Sequence, residues 1–261
     1  MKNKVLSVTV LFLILSIGLI SCSPKVNKKE MDAQTYFEYA KKLFDKGKYL
    51  QAITEFNVVV LKFSGSPIVD DAQFYLAESH YKNDEYLIAV AEYQKLVDDY
   101  PESPYVEEAF YKMGLSYSEL SQRPALDQEY TTKALRQLQN FVEAYPDGKF
   151  RPEAEKAIAR LRAKLARKQL LGGDVYRKMG IYDSAIIYYD IILDTYYDTP
   201  VAENAMFWKA ACQYKLNKYD EAISNFSAFL EKYPNSKYAD RAKSNITEIQ
   251  EKLSKLDVTQ R

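Results

Sequence analysis

The sequence predicts an all-α solenoid of about five helical hairpins plus a C-terminal capping helix. Three observations predict it. A small residue recurs at Ala52, Ala89, Ala134, Ala185 and Ala222, with spacings of 37, 45, 51 and 37 residues. An aromatic recurs at Phe63, Tyr100, Tyr145, Tyr196 and Tyr233 with the same four spacings. Each small residue opens an apolar stripe of helical period, as in Ala52, Phe56 and Val59. Two independent landmarks that share one spacing pattern mark a true repeat, and a period in this range is that of stacked helix pairs. No single pair buries its own apolar face, so 261 residues read as one elongated domain behind a leader.

The leader comes first. Lys2 and Lys4 precede an apolar run from Val5 to Ile20, too short and wrongly flanked for a stable membrane span. It ends Leu19-Ile20-Ser21-Cys22, which resembles a bacterial lipobox. That chemistry needs a small residue at Ser21 for the signal peptidase and a thiol at Cys22 to carry diacylglycerol. The plain alternative is an ordinary secretory signal with a chance cysteine. A lipidated Cys22 would be the first mature residue, anchored by acyl chains at about 0.8 kcal/mol per buried CH₂. Residues 1–21 are therefore expected to be a lipoprotein signal peptide. Residues 22–32, polar and bearing Pro24, are a tether, and 33–256 are the repeat domain.

The repeats are expected near 33–67, 70–104, 106–147, 165–200 and 203–236. In the first, Tyr36, Tyr39, Ala40 and Leu43 form a stripe at i, i+3, i+4 and i+7, and Gly47 sits where a left-handed helix end is wanted. Tyr49 to about Phe63 is its second helix, and Ser64-Gly65-Ser66-Pro67 breaks the chain. The second repeat pairs helices near 70–82 and 85–100. The third carries Gly114, where two helices approach closely, and a loop enlarged to Ser121–Asp127. Thr131 stands there in the usual Tyr place. Pro152 suits a first helical position, and a Lys/Arg-rich helical run leads on to Gly172-Gly173. The fifth copy, Lys218-Tyr219-Asp220-Glu221-Ala222-Ile223, is the most complete. A last helix through Ala242, Ile246, Ile249 and Leu253 is apolar on one side only, as a closing helix must be.

These residues resemble the tetratricopeptide repeat. The pattern falls on Ala77, His80, Ala89, Tyr93 and Pro101 in the second copy, and on Ala210, Gln213, Ala222, Phe226 and Pro234 in the fifth. Little chemistry is expected beside it. The 36 basic and 36 acidic residues balance, which argues against a nucleic-acid footprint. His80 is the one histidine and cannot build a metal site alone; it reads as a packing residue. Cys212 reads as core. No nucleophile elbow, phosphate loop or Cys/His cluster appears in the sequence, so neither enzyme nor bound cofactor is expected. Phe37, Phe74 and Tyr111 stand 37 residues apart in the same slot of three first helices, and Phe44 and Tyr81 share a second slot. In the tetratricopeptide pattern these slots commonly face the concave groove, where rings would anchor an extended peptide. The other reading is packing between neighbouring repeats.

Lipobox, short tether and five hairpins with a stretched third-to-fourth junction together resemble the BamD (YfiO) family of outer membrane protein assembly lipoproteins. The telling segments are Tyr81-Lys82-Asn83, Asp127-Gln128, Lys164-Leu165-Ala166 with Tyr182 and Ile191-Ile192-Leu193, and Asp198-Thr199-Pro200-Val201. The resemblance implies a non-catalytic scaffold, lipid-anchored on the periplasmic face of the outer membrane. Its N-terminal repeats would receive unfolded outer-membrane proteins, with Phe37, Phe44, Phe74, Tyr81 and Tyr111 as candidate contacts. Its C-terminal repeats, between Tyr176 and Tyr214, would dock a BamA-type barrel protein, alongside other assembly lipoproteins. Two alternatives stand beside it. One is another periplasmic tetratricopeptide lipoprotein, a division or envelope coordinator or a pilotin. The other is a SusD-type glycan-binding lipoprotein, although Ser23-Pro24-Lys25 lacks the acidic run such surface proteins favour after the cysteine.

Overall fold

The computed structural model describes residues 28–259. Cys22 and the expected leader lie outside the described residues. Eleven α-helices follow a single 3-10 turn at Lys28–Glu30 among them. They pair as hairpins: α1 (Ala33–Asp45) with α2 (Tyr49–Lys62), α3 (Val69–Lys82) with α4 (Tyr86–Asp99), α5 (Val106–Glu119) with α6 (Glu129–Ala144), α7 (Arg151–Lys178) with α8 (Tyr182–Thr195), and α9 (Val201–Lys215) with α10 (Tyr219–Lys232). Helix α11 (Ala239–Thr259) closes the array. This is an all-α tetratricopeptide-repeat solenoid. Each helix packs on the next, and first helices also touch across repeats, α1 on α3, α7 on α9 and α9 on α11.

One turn is used four times. Gly47, Asp84, Gly180 and Asn217 each take a positive φ, of 71, 61, 79 and 58 degrees, midway through a three-residue connection. The following N–H then reaches back to the first helix: Lys48 to the Leu43 carbonyl, Glu85 to His80, Ile181 to Tyr176 and Lys218 to Gln213, at 2.9 to 3.0 Å. That is the Schellman arrangement, which satisfies carbonyls left open at a helix end. Asp84 and Asn217 endure the left-handed backbone and accept hydrogen bonds from the Tyr86 and Tyr219 hydroxyls at 2.7 and 2.8 Å.

Within each hairpin the second helix presents its alanine to the first. Ala52, Ala89, Ala134, Ala185 and Ala222 are all 0% exposed. Glycines serve the same closeness at other crossings, Gly114 against Leu138 and Gly173 against Tyr189. Polar ties then join the layers. The Tyr36 hydroxyl donates to Glu55 at 2.7 Å, Tyr189 to Asp174 at 3.1 Å, and Tyr93 to Glu78, which Lys112 also pairs at 2.7 Å. Among the described residues no buried side-chain nitrogen or oxygen lacks a hydrogen-bond partner. Each such tie contributes about 0.5–1.5 kcal/mol net, and more where a charge is involved.

The third and fourth hairpins depart from this scheme. Residues 120–128 replace the three-residue turn, and Gln128 organises them by donating to the carbonyls of Arg123, Leu126 and Asp127 at 2.9 to 3.1 Å. Thr131, in the usual Tyr place, donates to Gln128 at 2.7 Å and so belongs to the loop. Lys164 and Lys168 of α7 then bind Ser121 Oγ and the Leu126 carbonyl, both at 2.7 Å. Sequence patterning opens a helix at Arg151-Pro152-Glu153, starts the fourth repeat near 165, and puts one glycine of Gly172-Gly173 where the repeat wants a small residue. The structure runs one 28-residue helix from Arg151 through both glycines, each of which faces a ring, Tyr188 or Tyr189. Glycine there allows close approach instead of ending the helix. Arg162 fastens α7 to the hairpin end, gripping Asp198 at 2.7 and 3.0 Å and the Thr195 carbonyl at 2.6 Å.

Two predictions follow from these contacts. Ala89→Leu or Ala222→Leu overpacks a fully buried crossing and should cost about 1–3 kcal/mol. A thermal melt should fall by about 2–4 °C per kcal/mol in a domain of this size; an unchanged melt for both would contradict the register. Gly47→Ala and Gly180→Ala add a methyl that meets nothing within 4 Å, so only backbone strain remains. Each should lower stability by about 1–2 kcal/mol, measured by urea titration with the slope unchanged.

Candidate partner-binding surfaces

The aromatic ladder resolves into packing. Phe37, Phe74 and Tyr111 are 6%, 4% and 8% exposed. Phe74 stacks on Tyr105 at 4.3 Å and Tyr111 on Phe150 at 5.2 Å, the second ring in each case standing just ahead of the next first helix. Phe207 meets Tyr238 likewise, at 4.5 Å. Phe37 lies between Phe56 and Tyr75 at 5.7 and 5.9 Å. The groove reading is thereby corrected for these three. Their slot is where one repeat must bury itself against the next, so its 37-residue period is the period of the core.

Phe44 and Tyr81 are different, being only half-buried. Phe44 stands edge-on to Tyr49 and Tyr75, both at 5.5 Å, with Lys41 over its face at 5.4 Å. Tyr81 stands edge-on to Tyr86 at 5.4 Å, with Lys112 over it at 5.3 Å. Lys41 also covers Tyr75, at 4.7 Å. First helices α1 and α3 thus present rings capped by the ammonium groups of Lys41 and Lys112, which also pair with Asp45 and Glu78. Tyr75 joins this strip although its slot gives no sequence cue.

His80 and Cys212 hold structural places. His80 Nδ1 lies 2.6 Å from Glu85 Oε2, a bond that spans the second hairpin turn. Gln213 fills the same slot in the fifth hairpin and donates to Glu221 at 2.8 Å. Among the described residues no group of three or more metal-ligating side chains is assembled. Cys212 is 1% exposed, and burial pushes its thiol up to about 12. At pH 8 it is therefore a thiol and not a nucleophilic thiolate. A thiol-specific reagent should leave Cys212 unmodified in the native protein and label it fully in denaturant; rapid native labelling would contradict this packing.

The surface that motif reading passes over is apolar. Among the described residues, six of the thirteen exposed large apolar side chains fall between 171 and 191: Leu171, Val175, Met179, Ile181, Ile187 and Ile191. Leu171, Val175 and Met179 follow one another at i, i+4 and i+8 on α7, and Ile187 and Ile191 are one turn apart on α8. Val175, Met179 and Ile187 are 56%, 65% and 61% exposed. Leu171 and Val175 border, with Pro124 and Tyr188, a shallow groove of about 460 Å³. Helix α7 buries another face through Leu161, Ala166 and Leu170, so it is apolar on two sides. Sequence periodicity flags the first side as core and hides the second.

A family profile described as YfiO, outer membrane lipoprotein, matches residues 29–222 and 212–259. The chain belongs to the YfiO outer membrane lipoprotein family. No curated protein matches it. Among solved structures it is similar to the TPR2AB domain of yeast Sti1 in complex with pHSP90, at 19% identity over 85% of this chain and 84% of that one, TM-score 0.43. It is also similar to a tetratricopeptide repeat protein of Parabacteroides merdae, at 15% identity over 85% and 75%, TM-score 0.36. A third is a thermophilic repeat protein of Thermus thermophilus, at 20% identity over 83% and 100%, TM-score 0.35. These are partial superpositions; the hairpin architecture rests on the chain's own geometry.

Proposed function

We propose that this YfiO-family chain is a non-catalytic scaffold of the outer-membrane β-barrel assembly machinery. Acyl chains on Cys22 would hold it to the periplasmic face of the outer membrane. Its C-terminal half would dock a BamA-type barrel protein, and its N-terminal half would receive unfolded outer-membrane proteins. The observation that carries the docking half is the run of exposed apolar side chains on α7 and α8. Exposed apolar side chains concentrated on one hairpin are disfavoured in a free monomer and mark an interaction site. It lies within and just ahead of the segment 176–214, where the family resemblance puts the barrel partner. Of the five candidate client contacts, Phe44 and Tyr81 remain, because their rings reach solvent while Phe37, Phe74 and Tyr111 do not.

The test is affinity purification from detergent-solubilised envelopes with Met179→Asp plus Ile187→Asp. Both side chains are exposed, so the melt should stay within about 0.5 kcal/mol of wild type per substitution. Recovery of a barrel protein with repeated periplasmic domains should fall about ten-fold or more, as expected when central apolar anchors become charged. Undiminished recovery would remove the apolar face from the interface. Division, peptidoglycan or sugar-binding proteins in place of a barrel protein would overturn the assembly reading itself.

A further inference from the structure

A second concave surface lies at the other side of the fifth hairpin. Helices α7, α9 and α11, with the head of α8, wall a hollow of about 130 Å³ bordered by Arg177, Tyr182, Trp208, Cys212, Lys215 and Arg241. A wider hollow of about 310 Å³ continues from it, sharing Ala211, Lys215 and Arg241 and adding Asn245, Glu248 and Lys252. Two guanidinium groups flank the Trp208 indole, Arg177 at 3.8 Å and Arg241 at 5.2 Å from the ring centroid. Arg177 already pairs with Asp174 at 3.2 Å, and Lys252 with Glu248 at 3.2 Å. Arg241 and Lys215 are exposed and stand over aromatic faces, Phe207 and Trp208 for the first and Tyr214 for the second, and Lys215 also helps to stabilise the Glu248 carboxylate across the hollow. Neither has a carboxylate within ion-pair distance among the described residues. Four cations thus border the joined hollows against one carboxylate, Glu248.

We propose that this groove is a binding site for an acidic peptide segment carrying an apolar side chain. The apolar side chain would enter the smaller hollow over Trp208 and the buried Cys212. Neighbouring carboxylates would meet Arg241 and Lys215, whose charge is aimed into a partly enclosed, aromatic-walled space where ion pairing is screened less than on an open surface. Asn217 and Asn245 line the wider hollow and offer side-chain amides to the peptide backbone. Charge complementarity names the occupant: an excess of cations over carboxylates in the lining calls for carboxylates. Concavity separates a peptide from an anionic membrane, since a flat lipid surface cannot enter a hollow one side chain wide. The proposal rests on the fold alone and stands apart from the barrel-assembly reading.

Trp208 is the sole tryptophan of the chain, so its emission reports directly on this groove. The full chain in non-ionic detergent would be titrated with a ten-residue peptide of Glu and Gly bearing one central Leu. The same peptide with Gln for Glu is the charge control, and phosphatidylglycerol vesicles are the lipid control. The expected result is a saturable change in Trp208 emission for the acidic peptide, weaker in salt and absent for the Gln peptide. Arg241→Gln plus Lys215→Gln should weaken binding about ten-fold or more with the circular dichroism unchanged. Lys232→Gln, on the exposed side of α10, should bind as wild type does. No response to the acidic peptide, an equal response to the Gln peptide, or a response to vesicles alone would overturn the proposal. So would unaltered binding by the double variant.

Discussion

The array depends on the closeness of two helices at one alanine. Each second helix brings a side chain no larger than a methyl group to the crossing, and all five are sealed from water. That closeness lets the rings on either side interlock, Phe74 on Tyr105 and Phe207 on Tyr238, so that one hairpin buries itself in the next. The Schellman turns at Gly47, Asp84, Gly180 and Asn217 set the two helices side by side at the outset. Alanine, turn and stacked aromatic therefore share a period because they are parts of one contact. In a solenoid that contact is the nearest-neighbour interaction from which stability is summed.

Function is written in the departures from that period. The nine-residue connection before α6 and the unbroken α7 give the middle of the chain two features the other hairpins lack. Lys164 and Lys168 lash the enlarged loop to α7 through Ser121 and Leu126, while the far part of the same helix shows Leu171, Val175 and Met179 to solvent. Helix α7 thus serves a core on one side and stays apolar on another. Where the fifth hairpin meets α11 the departure is electrostatic, with Arg241 and Lys215 standing over rings and cations outnumbering carboxylates in the lining.

Repetition made the fold legible in the sequence; the surfaces were less so. Ala89 and Tyr100 announce a helix pair because no other arrangement needs both at fixed spacing. Gly172-Gly173 sits inside a helix because neighbouring rings, Tyr188 and Tyr189, require the space a glycine leaves. Phe37, Phe74 and Tyr111 mislead: a periodic aromatic in one slot fits groove and core equally well, and only burial separates them. Met179 and Ile187 could not be found by pattern, because an exposed apolar residue on an amphipathic helix differs from a core residue only in which way its face is turned. The groove at Trp208 draws on α7, α8, α9 and α11, residues more than sixty apart in the chain, and exists only once they are stacked.

The proposed docking of a barrel protein on the exposed apolar side chains of α7 and α8 can be read in the cell. It is tested most directly by placing a photo-crosslinking amino acid at Val175, which is 56% exposed, in the full lipoprotein in living cells. The adduct would be identified by mass spectrometry. The account predicts one dominant adduct, to an outer-membrane barrel protein with periplasmic domains. Crosslinks to division or peptidoglycan proteins, or none at all at a position this open, would contradict it.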